Sequence, residues 1–199
     1  MTINEIQAIG SLLQYYHSDL NYIFEFQKYK TGNYVIDEYL KKETGTFKSF
    51  INEFRVARNI DKTKTKELLK HTFEWIDNED PNDIDSFAEY LKLKGITHGK
   101  KVTSLASKIL FLNNPWEILP FDKLGKNAVN LSENNYSKYL ILIKEFRKKQ
   151  ESEINDCLNS VEQHLNTIEL QFEKKLRNLK IIRENRFIDK LLWTTGRNK

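Results

Sequence analysis

Gly95–Val129 reads GITHGKKVTSLASKILFLNNPWEILPFDKLGKNAV, and the order of its parts decides the fold. Gly95 and Gly99 supply backbone angles that other residues resist, so they mark a tight connector. After the connector, Val102, Leu105, Ala106, Ile109 and Leu110 predict an apolar helix from about Lys101 to Leu112, stopped by Asn113-Asn114-Pro115. Pro120-Phe121-Asp122 then leads into another helix, Lys123 to Val129, which the short acidic side chain of Asp122 is placed to cap. Helix, glycine turn and capped helix in this order point to an all-α protein.

The flanks extend the same pattern. Leu12, Leu13, Tyr16, Leu20, Ile23 and Phe24 follow helical spacing and predict an amphipathic helix ending before Thr31-Gly32-Asn33. Tyr34 to Leu40 and Thr44-Gly45-Thr46 lead to Phe47, Phe50, Ile51, Phe54 and Ala57 or Arg58. Their repeat predicts a helix with a basic end, Arg55 and Arg58 sharing one face. Thr65 to Ile76 gives a third helix, and the break from Asp77 to Asp83 ends in a cap for Ile84 to Leu93. Beyond the loop Ser132-Glu133-Asn134-Asn135, Tyr136, Tyr139, Leu140, Leu142, Ile143 and Phe146 begin another helix. Leucines from Leu158 to Leu179 predict a long helix or helix pair, and Ile188 to Trp193 form a last apolar patch before a basic tail. We expect one compact domain over 1–199, with N-terminal helices (1–91), a hairpin-like motif (92–130) and long C-terminal helices (131–199).

Composition narrows the function classes. With 199 residues, 39% of them apolar, the chain can bury one sizeable core, or two small ones sharing an interface, and seven Gly and three Pro leave little material for a many-turned β fold. No run approaches the roughly 20 apolar residues that span a bilayer, and the start lacks a signal-peptide pattern, so a cytoplasmic protein without membrane contact is expected. A single Cys157 and four scattered His leave no pattern for a metal site, a disulfide or a Ser-His-Asp nucleophile, and no cofactor is expected. The net charge is only +4, but it is unevenly spread. His71 to Leu91 contains Glu74, Asp77, Glu79, Asp80, Asp83, Asp85 and Glu89 with no Lys or Arg, a charge of −7. Lys92 to Lys126 reverses it: Lys92, Lys94, Lys100, Lys101, Lys108, Lys123 and Lys126 against Glu117 and Asp122 give +5.

That basic segment holds the candidate nucleic-acid-binding residues. Gly95, Gly99, Lys100 and Lys101 form either a backbone clamp on phosphate at a helix start or an ordinary turn with solvated lysines. Ser104, with Thr103 and Ser107, allows close approach of DNA or of another helix, and Trp116 and Phe121 either stack on bases or fill the core. Lys108, Lys123 and Lys126 supply further positive charge. Asp122 serves as a helix cap, a catalytic carboxylate, or both. The run Lys174-Lys175-Arg177-Lys180-Arg183-Arg186, interleaved with Glu173 and Glu184, reads as an exposed helix face.

The order Gly95 to Gly99, Leu105-Ala106-Ser107, Pro120-Phe121-Asp122 resembles the helix-hairpin-helix DNA glycosylases. SLASKILFLNNPWEILPFDKLGK is similar to small bacterial proteins with an oxoguanine-glycosylase-like fold. The resemblance covers residues 92–129 and implies binding of DNA, or of RNA, with a flipped base. It gives Asp122 the role of stabilising the cationic sugar or activating the nucleophile. Three residues lie between the glycines where the family has one, and Ser104 stands where a bifunctional glycosylase carries its lysine. The resemblance therefore implies a monofunctional N-glycosylase. The alternative is a non-catalytic helical module, for instance in a bacterial defence system, that binds nucleic acid, a protein partner or a second copy through its C-terminal helices.

Overall fold

The computed structural model describes residues 1–32, 35–41 and 43–199, and among them the regular structure is helical with no strand. The helices are α1 (Ile3–Lys30), α2 (Ile36–Tyr39), α3 (Phe47–Glu53), α4 (Thr65–Asn78), α5 (Ile84–Leu93), α6 (Thr103–Asn113), α7 (Lys123–Ala128), α8 (Tyr136–Lys149), α9 (Glu151–Ser160), α10 (Glu162–Glu169) and α11 (Leu179–Arg197). Asn33 and Tyr34, which the sequence placed at the end of one helix and the start of the next segment, lie outside the described residues. The chain forms two compact units. A terminal unit comprises Met1–Leu20 and Leu119–Lys199, and a middle unit comprises Asn21–Ile118.

The middle unit is organised on α6. Leu105, Ala106, Ile109, Leu110, Phe111 and Leu112 are all buried, so this helix is enclosed on nearly every side, as an all-round apolar helix must be. Its carbonyl end is satisfied by side chains of α1: Gln27 Nε2 donates to the oxygens of Leu112 (2.8 Å) and Asn113 (3.0 Å), and Lys30 Nζ to Asn113 Oδ1 (2.9 Å). Asp83 caps α5 by accepting from the Ser86 N–H at 3.0 Å.

One helix is shorter than its periodicity predicts. α3 ends at Glu53 because Arg55 takes the left-handed conformation (φ 55°), and the Val56 and Arg55 N–H groups bond back to Ile51 and Asn52. This is a Schellman stop built on arginine in place of the usual glycine, secured by burial of Val56 and Ile51. Arg55 and Arg58 therefore do not share a helical face; Arg58 belongs to a separate 3-10 turn, Ala57–Asn59.

The terminal unit is organised on α11, whose Ile182, Phe187, Ile188, Leu191 and Leu192 are buried. The apolar spacing after Tyr136 resolves into α8, α9, α10 and α11. The last begins at Leu179, just after its N-cap residue Asn178, which is in the left-handed conformation (φ 56°). Leu165 and Leu176 are core residues of this unit and so are not exposed along an intermolecular seam. The basic run through Arg186 is likewise not a uniformly solvated face, because Arg183 and Arg186 turn inward. Arg186, 1% exposed, donates to Asp19 Oδ2 (2.8 Å) and Asp189 Oδ2 (3.1 Å). Arg183 donates to Glu169 and Asn166, and Glu169 also accepts from the Tyr16 hydroxyl at 2.6 Å. Burial, reinforced by the neighbouring Glu169 charge, holds the Tyr16 phenol far above its ordinary value, so it stays a neutral donor.

Candidate nucleic-acid interface

Gly95, Gly99, Lys100, Lys101 and Ser104 fall on the connector between α5 and α6 and on the first turn of α6. Gly95 (φ +68°) closes α5. Its N–H bonds to Lys92 O and the Ile96 N–H to Leu91 O, while Ile96 is fully buried, so the glycine is demanded by the helix stop itself. Lys64 Nζ adds a bond to Gly95 O at 2.8 Å. His98 (φ 51°) and Gly99 (φ +71°) then continue in left-handed geometry. The turn is held by the Lys100 N–H to Thr97 O and by the Thr97 hydroxyl to Lys100 O.

The far side of this turn is open. A Cβ built on Gly99 meets no atom within 4 Å, and the His98 and Gly99 N–H groups have no acceptor among the described residues. Lys100 is exposed, while Lys101 pairs with Asp85 at 3.4 Å. α6 starts at Thr103, its N-cap residue Val102 offering no side-chain cap, and the hydroxyl of Thr103, a residue only 3% exposed, has no hydrogen-bond partner among the described residues. Ser104 is half-buried. Lys108, one turn further on, is engaged elsewhere: its Nζ donates to Phe54 O at the end of α3 (3.2 Å). Trp116 is half-buried beyond the end of α6.

Asp122, Lys123 and Lys126 belong to the terminal unit. Asp122 caps α7, its Oδ1 accepting from the Gly125 N–H at 2.8 Å. Its Oδ2 accepts no hydrogen bond from any described residue. Lys123 is exposed, and Lys126 Nζ ties the following loop through Ser132 O (3.2 Å) and Asn134 Oδ1 (2.7 Å). Pro120 and Phe121 are core: the Phe121 ring packs edge-on against Tyr139 with centroids 4.9 Å apart.

Comparison with protein-family models, with curated proteins and with solved structures finds no match for this chain.

The surroundings of Asp122 include groups that sequence reading did not single out. Tyr139 is fully buried, and burial together with the negative charges of Asp189 and Asp122 holds its phenol well above the ordinary value. Asp189 is also pushed up. Burial raises it, Arg186 and Lys190 oppose that, and the charges of Asp122 and Asp19 add to it. Tyr139 crowds Gly125 so closely that a built Cβ there stands 2.3 Å from its Oη. The available signal was Gly125 itself, three residues after the cap and in the middle of a short helix, where alanine is otherwise preferred. Asp189 carried no signal, being one acidic residue in a charged helix. Among the described residues no group of three or more His, Cys, Asp or Glu side chains is placed to hold a metal ion, and no helix is long and apolar enough to cross a membrane.

Proposed function

We propose that this is a nucleic-acid-binding protein of the DNA glycosylase type, hydrolysing the N-glycosidic bond of a modified nucleotide with Asp122 as its carboxylate. The observation that carries the reading is the open turn at Gly99. Free backbone N–H groups, an uncapped helix start and the exposed Lys100 converge there, the combination that favours a phosphate oxygen. Asp122 suits the chemistry because one carboxylate oxygen is fixed by the α7 cap, leaving the other to stabilise a developing sugar cation or to orient water. Ser104 at the family's lysine position favours simple hydrolysis over Schiff-base chemistry. The same serine favours the second reading, a recognition module that binds without cutting.

Binding to phosphate has a salt signature. Anisotropy titrations of a labelled duplex across a range of salt should give a steep negative slope of log K against log salt. Lys100→Ala should reduce that slope by about 1 and weaken binding alike for all sequences. Because Lys101 is partly neutralised by Asp85 at 3.4 Å, Lys101→Ala should lower the slope by less. A salt-independent affinity, or an unchanged slope in Lys100→Ala, would remove the turn from the interface.

A further inference from the structure

The acidic stretch 71–91 folds into part of the middle unit and opens a cleft of about 270 Å³ lined by Glu74, Trp75, Asn78, Glu79 and Tyr90. That volume is below the roughly 300–1,000 Å³ of drug-sized ligand sites, so it suits the head of a side chain. Two walls are aromatic: the Trp75 and Tyr90 rings are 5.3 Å apart, inclined at 47°. Trp75 is fixed by its Nε1 donating to Asp80 O at 3.0 Å, and Tyr90 by its hydroxyl donating to Glu74 Oε2 at 2.9 Å. The π-face of Tyr90 already attracts a cation, since Lys94 Nζ stands 5.2 Å from the ring centroid.

The floor is the last turn of α4. It has no basic residue, so the partial negative charge of the helix end is not offset by its own side chains. Glu74 uses one oxygen, Oε2, for both His71 (2.8 Å) and Tyr90. These bonds hold its carboxyl below the usual glutamate value, so it is ionised. Glu74 Oε1 and the exposed Glu79 carboxylate accept no hydrogen bond from any described residue.

We propose that this cleft binds the guanidinium group of an arginine in a basic segment of a protein partner. With Trp75 only 8% exposed, a flat cation can stack on the Tyr90 phenol in competition with Lys94 and meet the indole at its exposed edge, while its N–H groups reach Glu74 Oε1 and Glu79; a quaternary ammonium has no N–H to give, and a lysine ammonium has no flat face to lay on the ring. Asp85 and Glu89 of the acidic stretch pair with Lys101 and Lys92, but Glu74, Asp77, Glu79 and Asp80 at or beside the cleft pair with no Lys or Arg among the described residues, and that local charge matches a basic segment rather than an isolated cation.

The test is a two-dimensional amide and indole NMR titration of the full chain with blocked arginine amide, blocked lysine amide and tetramethylammonium at matched ionic strength. An arginine-containing basic peptide and its lysine-substituted counterpart follow. Blocked arginine should shift the Trp75 indole and the amides at the end of α4, saturating in the millimolar range, and the arginine peptide should bind more tightly than the lysine peptide. The exposed Glu79→Gln change, which has no buried contact to disturb, should weaken arginine binding about three- to fivefold. Absence of saturable shifts at Trp75, equal shifts from tetramethylammonium or lysine, equal affinity of the two peptides, or unchanged binding in Glu79→Gln would each overturn the proposal.

Discussion

Arg186→Met should destabilise the terminal unit by about 3–5 kcal/mol in a urea titration, a large share of the roughly 5–15 kcal/mol that holds a typical domain folded. Asp19 and Arg186 are 2% and 1% exposed, and their charges meet at 2.8 Å. Removing the guanidinium leaves the Asp19 carboxylate in a dry environment, with the more distant Lys190 at 3.9 Å as its remaining cation. Asp189 loses its partner in the same change. Burial pulls the Arg186 value down, but Asp19 and Asp189 together hold it above the ordinary arginine value, so the pair stays charged. The double change Asp19→Leu with Arg186→Met should recover the share of the loss that comes from orphaning Asp19 and leave the cost at the less buried Asp189, because the cost lies in the orphaned charge and not in the missing attraction. A loss below about 1 kcal/mol for Arg186→Met would mean that water reaches this pair, as in a surface ion pair.

Gly196→Ala should destabilise by about 3 kcal/mol, although the same change in an open helix stabilises by roughly 0.5–1 kcal/mol. A Cβ at Gly196 would stand 1.8 Å from the carbonyl oxygen of Leu124 and 3.0 Å from the Ala128 nitrogen, both backbone atoms of α7. Backbone cannot swing aside as a side chain can, so α7 must shift, and Asp122 at its start shifts with it. Alanine at Gly10 on α1 serves as the control, since its Cβ would meet nothing within 4 Å and should stabilise. The opposite signs can be read by thermal denaturation followed by circular dichroism. A rise in Tm for Gly196→Ala would show that α7 and α11 are not in this contact.

What the sequence made legible is local chemistry. Asp83, Asp122 and Gly95 announce helix ends because a cap or a left-handed residue acts within three or four positions of itself, and each is found in that role. Arg55 misled because it takes a glycine's place in a helix stop, which depends on burial of Val56 and Ile51 and not on its own preference. Arg183 and Arg186 misled for a related reason. A basic residue in a mixed-charge run looks solvated until Glu169 and Asp19, distant in sequence for the second pair, are folded against it. The division between Ile118 and Leu119 also has no compositional mark, since both residues are buried and no linker separates them. Of the candidate site, the open turn at Gly99 and the cap at Asp122 were readable, whereas Tyr139, Gly125 and Asp189 around the carboxylate are tertiary facts.

Base release tests directly whether Asp122 is a catalytic carboxylate. Duplex and single-stranded oligonucleotides carrying oxidised, alkylated, deaminated and hypermodified bases are incubated with the protein, and abasic sites are revealed by alkali. Asp122→Asn is the matched variant because asparagine caps a helix as well as aspartate does, so α7 and its Gly125 bond persist while the charge is lost. The expected result is release of at least one modified base by the wild type, no strand cleavage before alkali, and loss of release in Asp122→Asn with duplex binding retained. Release that survives in Asp122→Asn, or binding with no release from any of these substrates, would contradict it.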